Sequence, residues 1–131
     1  MSFMKSLAGA TCAFALLSGV AAAEPAIIFD LGGKFDKSFN EAAHVGAETF
    51  KKETGVEYRD FEIQNDAQRE QALRRFARDG FDPIVAVGFA HATALEKVAK
   101  EFPNTKFGII DMVIDLPNVQ SIVFKEHEGS Y

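Results

Sequence analysis

Apolar residues in this chain follow two rhythms. Short runs rich in Val and Ile alternate with stretches in which apolar residues recur every three or four positions. The first rhythm marks strands buried on both faces, and the second marks amphipathic helices. Residues 26–29, Ala-Ile-Ile-Phe, open the series as a strand. A helix over 38–54 follows, with Phe39, Ala42, Ala43, Gly46 and Phe50 on its apolar side and Gly55 as its stop. Residues 56–63 read as a second strand, in which Val56, Tyr58, Phe61 and Ile63 alternate imperfectly. Asn65 and Asp66 cap a helix over 66–79 that turns Ala72, Leu73, Phe76 and Ala77 inward and ends at Gly80. Residues 83–88 form a third strand, and Phe89 and Ala90 a loop. The helix over 91–102 then faces in with Leu95, Val98, Ala99 and Phe102. A fourth strand over 106–110 ends at Asp111, and a fifth over 119–124 follows the turn at Leu116-Pro117-Asn118.

The order is β-α-β-α-β-α-β-β. Strands and helices alternating at these lengths predict an α/β fold, a parallel sheet with helices on both faces. The 131 residues allow one domain at most, and there is no internal repeat, low-complexity segment or linker.

The stretch 27–40 concentrates the candidate chemistry. Asp30 stands where the first strand ends, and Gly32-Gly33 permit a turn that residues with a Cβ resist. Asp36 or Ser38 then caps the helix, and Ser38 with Glu41 has the spacing of a capping box. Strand, glycine loop and helix start together form the place where open α/β sheets bind ligands. Phe39-Asn40 sets an aromatic face beside an amide in the first helical turn. A ring stacks on a flat ligand, and an amide both donates and accepts hydrogen bonds along its edge. In a parallel sheet, Phe89 and Asp111 reach the same rim as Asp30. A carboxylate after each of two strands suits vicinal hydroxyls or an amino edge.

Other chemistries find less support. Net charge is −5 without clustered Lys or Arg, which argues against a nucleic-acid surface. Gly32-Gly33 lacks the third glycine of a dinucleotide fingerprint, and no phosphate-binding Gly-Lys-Ser/Thr occurs. His44, His91 and His127 have no metal-ligand spacing; a solvated or helix-face place is expected for His44. Ser38 lacks a nucleophile context. No catalytic residue, metal or cofactor is therefore expected. Lys51-Lys52 and Arg74-Arg75 read as solvated helix faces.

The amino-terminal residues read as a secretory signal peptide. A lysine at position 5 precedes an apolar run over 6–20 that is too short to span a bilayer, and Ala21-Ala22-Ala23 suits cleavage after Ala23. The single cysteine, Cys12, falls inside that leader without a convincing lipidation box. The mature chain would then carry no cysteine, which fits a protein exported to the bacterial periplasm without need of a disulfide. The ending, Lys125-Glu126-His127-Glu128-Gly129-Ser130-Tyr131, has neither a capped helix nor a polar tail and reads as an interruption.

Several of these pieces together resemble the basic membrane protein family of substrate-binding proteins for ABC transporters. They are Asp30, the glycine loop, Asp36-Lys37-Ser38-Phe39-Asn40, Gly88-Phe89, the Phe-Pro-x-x-Lys-Phe run at 102–107, Ile110-Asp111 and the stretch from Asn118-Val119 to Tyr131. Asp-Lys-Ser-Phe-Asn is the most specific of them. The resemblance covers the whole mature chain but only about the first third of a typical member. It implies a two-lobed, hinged periplasmic binding protein of type I, with residues 24–131 a partial amino-terminal lobe. It also implies a transporter permease as partner, association with the plasma membrane through that transporter, and nucleosides as ligands; members often carry a lipid anchor on a cysteine, whereas the leader here reads as non-lipidated. By this resemblance Phe39 stacks on the base, Asn40 and Asp30 bond its edge, Asp111 holds ribose hydroxyls, and the backbone at Gly88 and Phe89 lines the pocket. Alternatives are another small polar ligand, or a truncated product without transport function.

Overall fold

The structure, a computed structural model, describes residues 22–129. Its elements are β1 (Ala26–Phe29), α1 (Phe39–Thr54), β2 (Arg59–Glu62), α2 (Ala67–Arg78), β3 (Ile84–Val87), α3 (Ala92–Glu101), β4 (Phe107–Ile110) and β5 (Val119–Ile122). Single 3-10 turns at Phe89–His91 and Glu126–Glu128 complete the chain. The five strands form one parallel sheet in the order β2-β1-β3-β4-β5. The expected α/β architecture is thus present.

Side chains alternate across the strands and divide the core in two. Ala26 and Ile28 of β1, with Ile84, Ala86, Phe107 and Ile109, join the larger cluster. Helices α2 and α3 close that face with Ala72, Leu73, Phe76, Ala77, Leu95, Val98 and Ala99, all of which the sequence predicts to face inward. Leu73, Phe76, Leu95 and Val98 each contribute roughly 1.5–3 kcal/mol by leaving water. Ile27, Phe29 and Val87 point the other way, toward α1, where Ala43 and Ala47 are the apolar side chains of the helix that meet them and His44 lies edge-on to Phe29.

Helix α1 departs from the expected pattern. Its one buried residue is the polar Asn40, while Phe39 and Phe50 are 37% and 42% exposed and Ala42 and Gly46 face solvent. No second described helix packs on that face, so α1 covers the sheet with two alanines and leaves its larger apolar groups at the margins. The second strand also begins later than expected. Pairing starts where Arg59 N–H donates to the Pro25 carbonyl at 2.9 Å, and Val56 stays in the exposed segment after Gly55. The expected leader falls mostly on residues 1–21, outside the described residues; residues 22 and 23 have no regular structure.

Two connections shape the rim at the carboxyl ends of the strands. The chain runs outward from β1 to β2, then crosses back to β3 on the other side of β1. The boundary between β1 and β3 is therefore the switch point of the sheet. Between β4 and β5 the link is a short loop instead of a helix. Asn118 stabilises it, with its Nδ2 bonded to the carbonyls of Ala99, Phe102 and Thr105 at 3.0, 3.1 and 3.0 Å.

Candidate functional site at the carboxyl ends of the strands

Asp30 follows β1 directly at the switch point. Its backbone N–H donates to Asn40 Oδ1 at 3.0 Å. Asn40 Nδ2 in turn donates to the carbonyls of Asp30 and Leu31, at 3.4 and 3.3 Å. Asn40 is only 2% exposed. Its amide thus spans from the first turn of α1 to the loop and is spent on backbone groups.

The start of α1 is capped by Asp36, not by Ser38. Asp36 Oδ1 accepts the N–H groups of Ser38 and Glu41 at 2.8 and 3.0 Å, and Oδ2 accepts that of Asn40 at 3.2 Å. Ser38 makes no side-chain capping bond, so the expected capping box does not form. Asp36 stands earlier in the loop and reaches three donors at once, which leaves none for the serine hydroxyl. Partial desolvation pushes the Asp36 carboxyl upward, but the bonds from Glu41, Ser38 and Asn40 outweigh it and hold the group below its ordinary range. The amides that would draw an anion to this helix end are already occupied.

Beneath Asp30, from the opposite face of the sheet, lies Arg69 of α2. Arg69 Nη2 meets Asp30 Oδ1 at 2.7 Å and Asp66 Oδ1 at 3.0 Å, and its side chain is 7% exposed. His91 is fully buried nearby, and neither ring nitrogen has a hydrogen-bond partner. Burial, then the neighbouring Arg69 charge, pushes its imidazole down to about 4, against a smaller opposing pull from Asp30. It is neutral at ordinary pH.

The ends of β3 and β4 complete the rim. Gly88 has φ +107, and a Cβ there would lie 2.8 Å from Asp30 Oδ2. Only glycine lets the two strand ends come this close. Phe89 follows, 64% exposed. Asp111 sits in the left-handed region at φ +74, which Asp tolerates better than most residues. Its N–H bonds the Ile122 carbonyl at 2.7 Å. Phe39 projects from α1 to meet Phe124 edge-on, with ring centroids 6.5 Å apart. Phe124 is also exposed.

Asp30, Gly88, Phe89 and Asp111 thus stand on the ends of adjacent strands, and Phe39 at the start of the helix that follows β1. The rim offers carboxylate acceptors between exposed aromatic faces. An apolar cleft of about 240 Å³ between α1 and the sheet includes none of these residues.

Arg69 and Phe124 were not legible as site residues. One signal existed for Arg69: a cation in the first turn of a helix opposes the helix dipole and calls for an anionic partner. Nothing in the local pattern marks Phe124. One other reading needs correction. Arg74 is not simply solvated but bridges Glu70 and Glu101 at 2.6 and 2.8 Å. Arg75 is exposed as expected and lies over the rings of Phe61 and Phe76. His44 packs edge-on against Phe29 and Phe35, with its Nδ1 buried.

Comparison with known proteins places this geometry. Residues 23–131 match the family described as ABC transporter substrate-binding protein, PnrA-like. An uncharacterized lipoprotein of Pyrococcus horikoshii is 39% identical over 106 residues, covering 79% of this chain and 26% of its own length. The ABC transporter nucleoside-binding protein BmpA of Lactococcus lactis is 31% identical over 111 residues, covering 81% of this chain and 32% of its own length. Among solved structures, an ABC transporter solute-binding protein from Aeropyrum pernix superposes with TM-score 0.76 at 36% identity, covering 82% of this chain and 30% of that one. The chain therefore spans about a quarter to a third of the length of these relatives.

Proposed function

Because the chain belongs to the PnrA-like family of ABC transporter substrate-binding proteins, we propose that its strand-end rim is one wall of a nucleoside-binding cleft. The protein would act in the periplasm and deliver its ligand to a transporter permease. The observation that carries this reading is the pairing of an exposed ring, Phe39, with two strand-end carboxylates, Asp30 and Asp111. A nucleoside has the matching parts: a flat base to stack, an edge with N–H donors, and vicinal ribose hydroxyls. Asn40 serves by holding the Asp30 loop in shape, since its amide already bonds backbone groups. The name of the Lactococcus relative points the same way.

The rim also favours an uncharged ligand over a phosphorylated one. Asp36 occupies the amides at the start of α1, so a phosphate finds no free cluster of donors there. A cleft of this kind closes by hinge motion of two lobes, and the second wall would come from the part of the family fold beyond this chain's span. Small-molecule sites enclose roughly 70–90% of the ligand. Calorimetric titration of the full-length protein with purine nucleosides, their 5′-monophosphates, free sugars and amino acids tests the reading. Nucleosides should bind at least about tenfold tighter than the monophosphates. Binding of a sugar or amino acid with no response to nucleosides would overturn it.

A further inference from the structure

The two oxygens of the Asp30 carboxylate have unlike surroundings. Oδ1 accepts the Leu31 N–H at 2.7 Å and meets Arg69 Nη2 at 2.7 Å. Among the described residues no hydrogen bond reaches Oδ2, and it is not one of the buried unpartnered atoms. It lies beside Gly88, whose missing side chain leaves it room.

Arg69 is itself tightly placed. Its Nε and Nη2 both bond Asp66 Oδ1 at 3.0 Å, and its side chain is nine-tenths buried. It occupies the first turn of α2, where a positive charge works against the helix dipole. His91, buried and neutral beside it, adds no competing charge and offers Asp30 no hydrogen bond. Arg69 is thus the one side-chain cation bonded to Asp30 among the described residues, and it reaches Asp30 from the face opposite Asn40.

We infer that Arg69 is a positioning residue: it ties down Oδ1 of Asp30 so that Oδ2 faces the cleft as an acceptor, selecting ligands with an N–H or O–H at that point. This rests on the nucleoside-binding reading above. A carboxylate held on one side by a buried guanidinium cannot rotate to present a different edge. A base edge with a ring N–H is accepted, and one with only acceptors is rejected.

The test compares inosine, which carries a ring N–H, with purine riboside, which has no donor on that edge. Both are titrated into the full-length protein by calorimetry, with thermal melting run in parallel. Wild type should prefer inosine by about 10–100-fold, the range for one charge-assisted hydrogen bond. In Arg69→Met that preference should fall below about threefold while purine riboside binds nearly as before. Arg69→Lys, which restores the charge without the fork, should lie between. Loss of affinity for both ligands in equal proportion, or an undiminished preference, would overturn the positioning role. If Arg69→Met does not melt cooperatively, Arg69→Lys decides: a reduced preference supports the role and an unchanged one overturns it. Wild type that binds neither ligand would instead refute the nucleoside reading itself.

Discussion

The side-chain amide of Asn40 closes onto the backbone of Asp30, its Oδ1 accepting the Asp30 N–H at 3.0 Å while its Nδ2 turns back to the Asp30 carbonyl. This small ring of bonds joins the first turn of α1 to the end of β1. It fixes the residue proposed to meet the ligand, although Asn40 itself is sealed from solvent.

Asn40→Leu should therefore cost stability and binding together. The change leaves the Asp30 N–H and the Leu31 carbonyl without their partner, while the Asp30 carbonyl keeps the Gly33 N–H at 3.2 Å; each buried group left unpaired costs about 1–3 kcal/mol. Thermal melting and nucleoside titration of the same preparation check this. Weakened binding at an unchanged melting temperature would mean that the amide contacts ligand instead.

Phe39 behaves oppositely. It is 37% exposed and belongs to neither core cluster, so Phe39→Ala should leave melting nearly unchanged. Losing one base stack should weaken nucleoside binding by roughly 1–3 kcal/mol. Phe124→Ala should have a smaller effect of the same kind, since that ring meets Phe39 edge-on. A large fall in melting temperature for Phe39→Ala would mark the ring as core.

A substitution at Asp111 should separate sugar from base. Asp111→Gly suits the left-handed backbone at φ +74 and should keep the melting temperature within a few degrees. It removes the carboxylate proposed to hold the ribose, so nucleoside affinity should fall while binding of the free base stays as it was. Equal losses for both would assign Asp111 to the scaffold.

The pH dependence of stability carries the mark of His91. An unfolded imidazole titrates near 6.5 and the folded one near 4, so between those values the unfolded chain holds more protons. His91 thus contributes stability above about pH 6.5 that is lost as pH falls toward 4, on the order of 3 kcal/mol. His91→Leu should flatten the denaturation free energy across that window. A profile as steep as that of wild type would show that the imidazole is not held neutral.

Much of this was legible in the sequence because its signals are local. The interior faces of α2 and α3 follow from a repeat every three or four residues, and the parallel sheet follows from alternating strands and helices. Asp30, Gly88 and Asp111 were findable because a parallel sheet gathers strand ends on one rim. What the sequence hid is non-local. Phe50 has helical spacing suited to a core but lies at the edge of a face that α1 covers alone. Ser38 has the spacing of a cap, but Asp36 reaches the same amides first. Arg69 meets Asp30 across the thickness of the sheet, and Phe124 meets Phe39 only because β5 returns beside β4. No periodicity encodes such pairs.

The central claim is that the rim formed by β1, β3 and β4 holds the nucleoside. A crystal structure of the full-length protein grown with inosine tests it most directly. The expected result is the purine stacked on Phe39, its ring N–H on Asp30 Oδ2, and the ribose hydroxyls on Asp111. A well-ordered inosine bound away from this rim, with Phe39 and Asp111 free of it, would contradict the account.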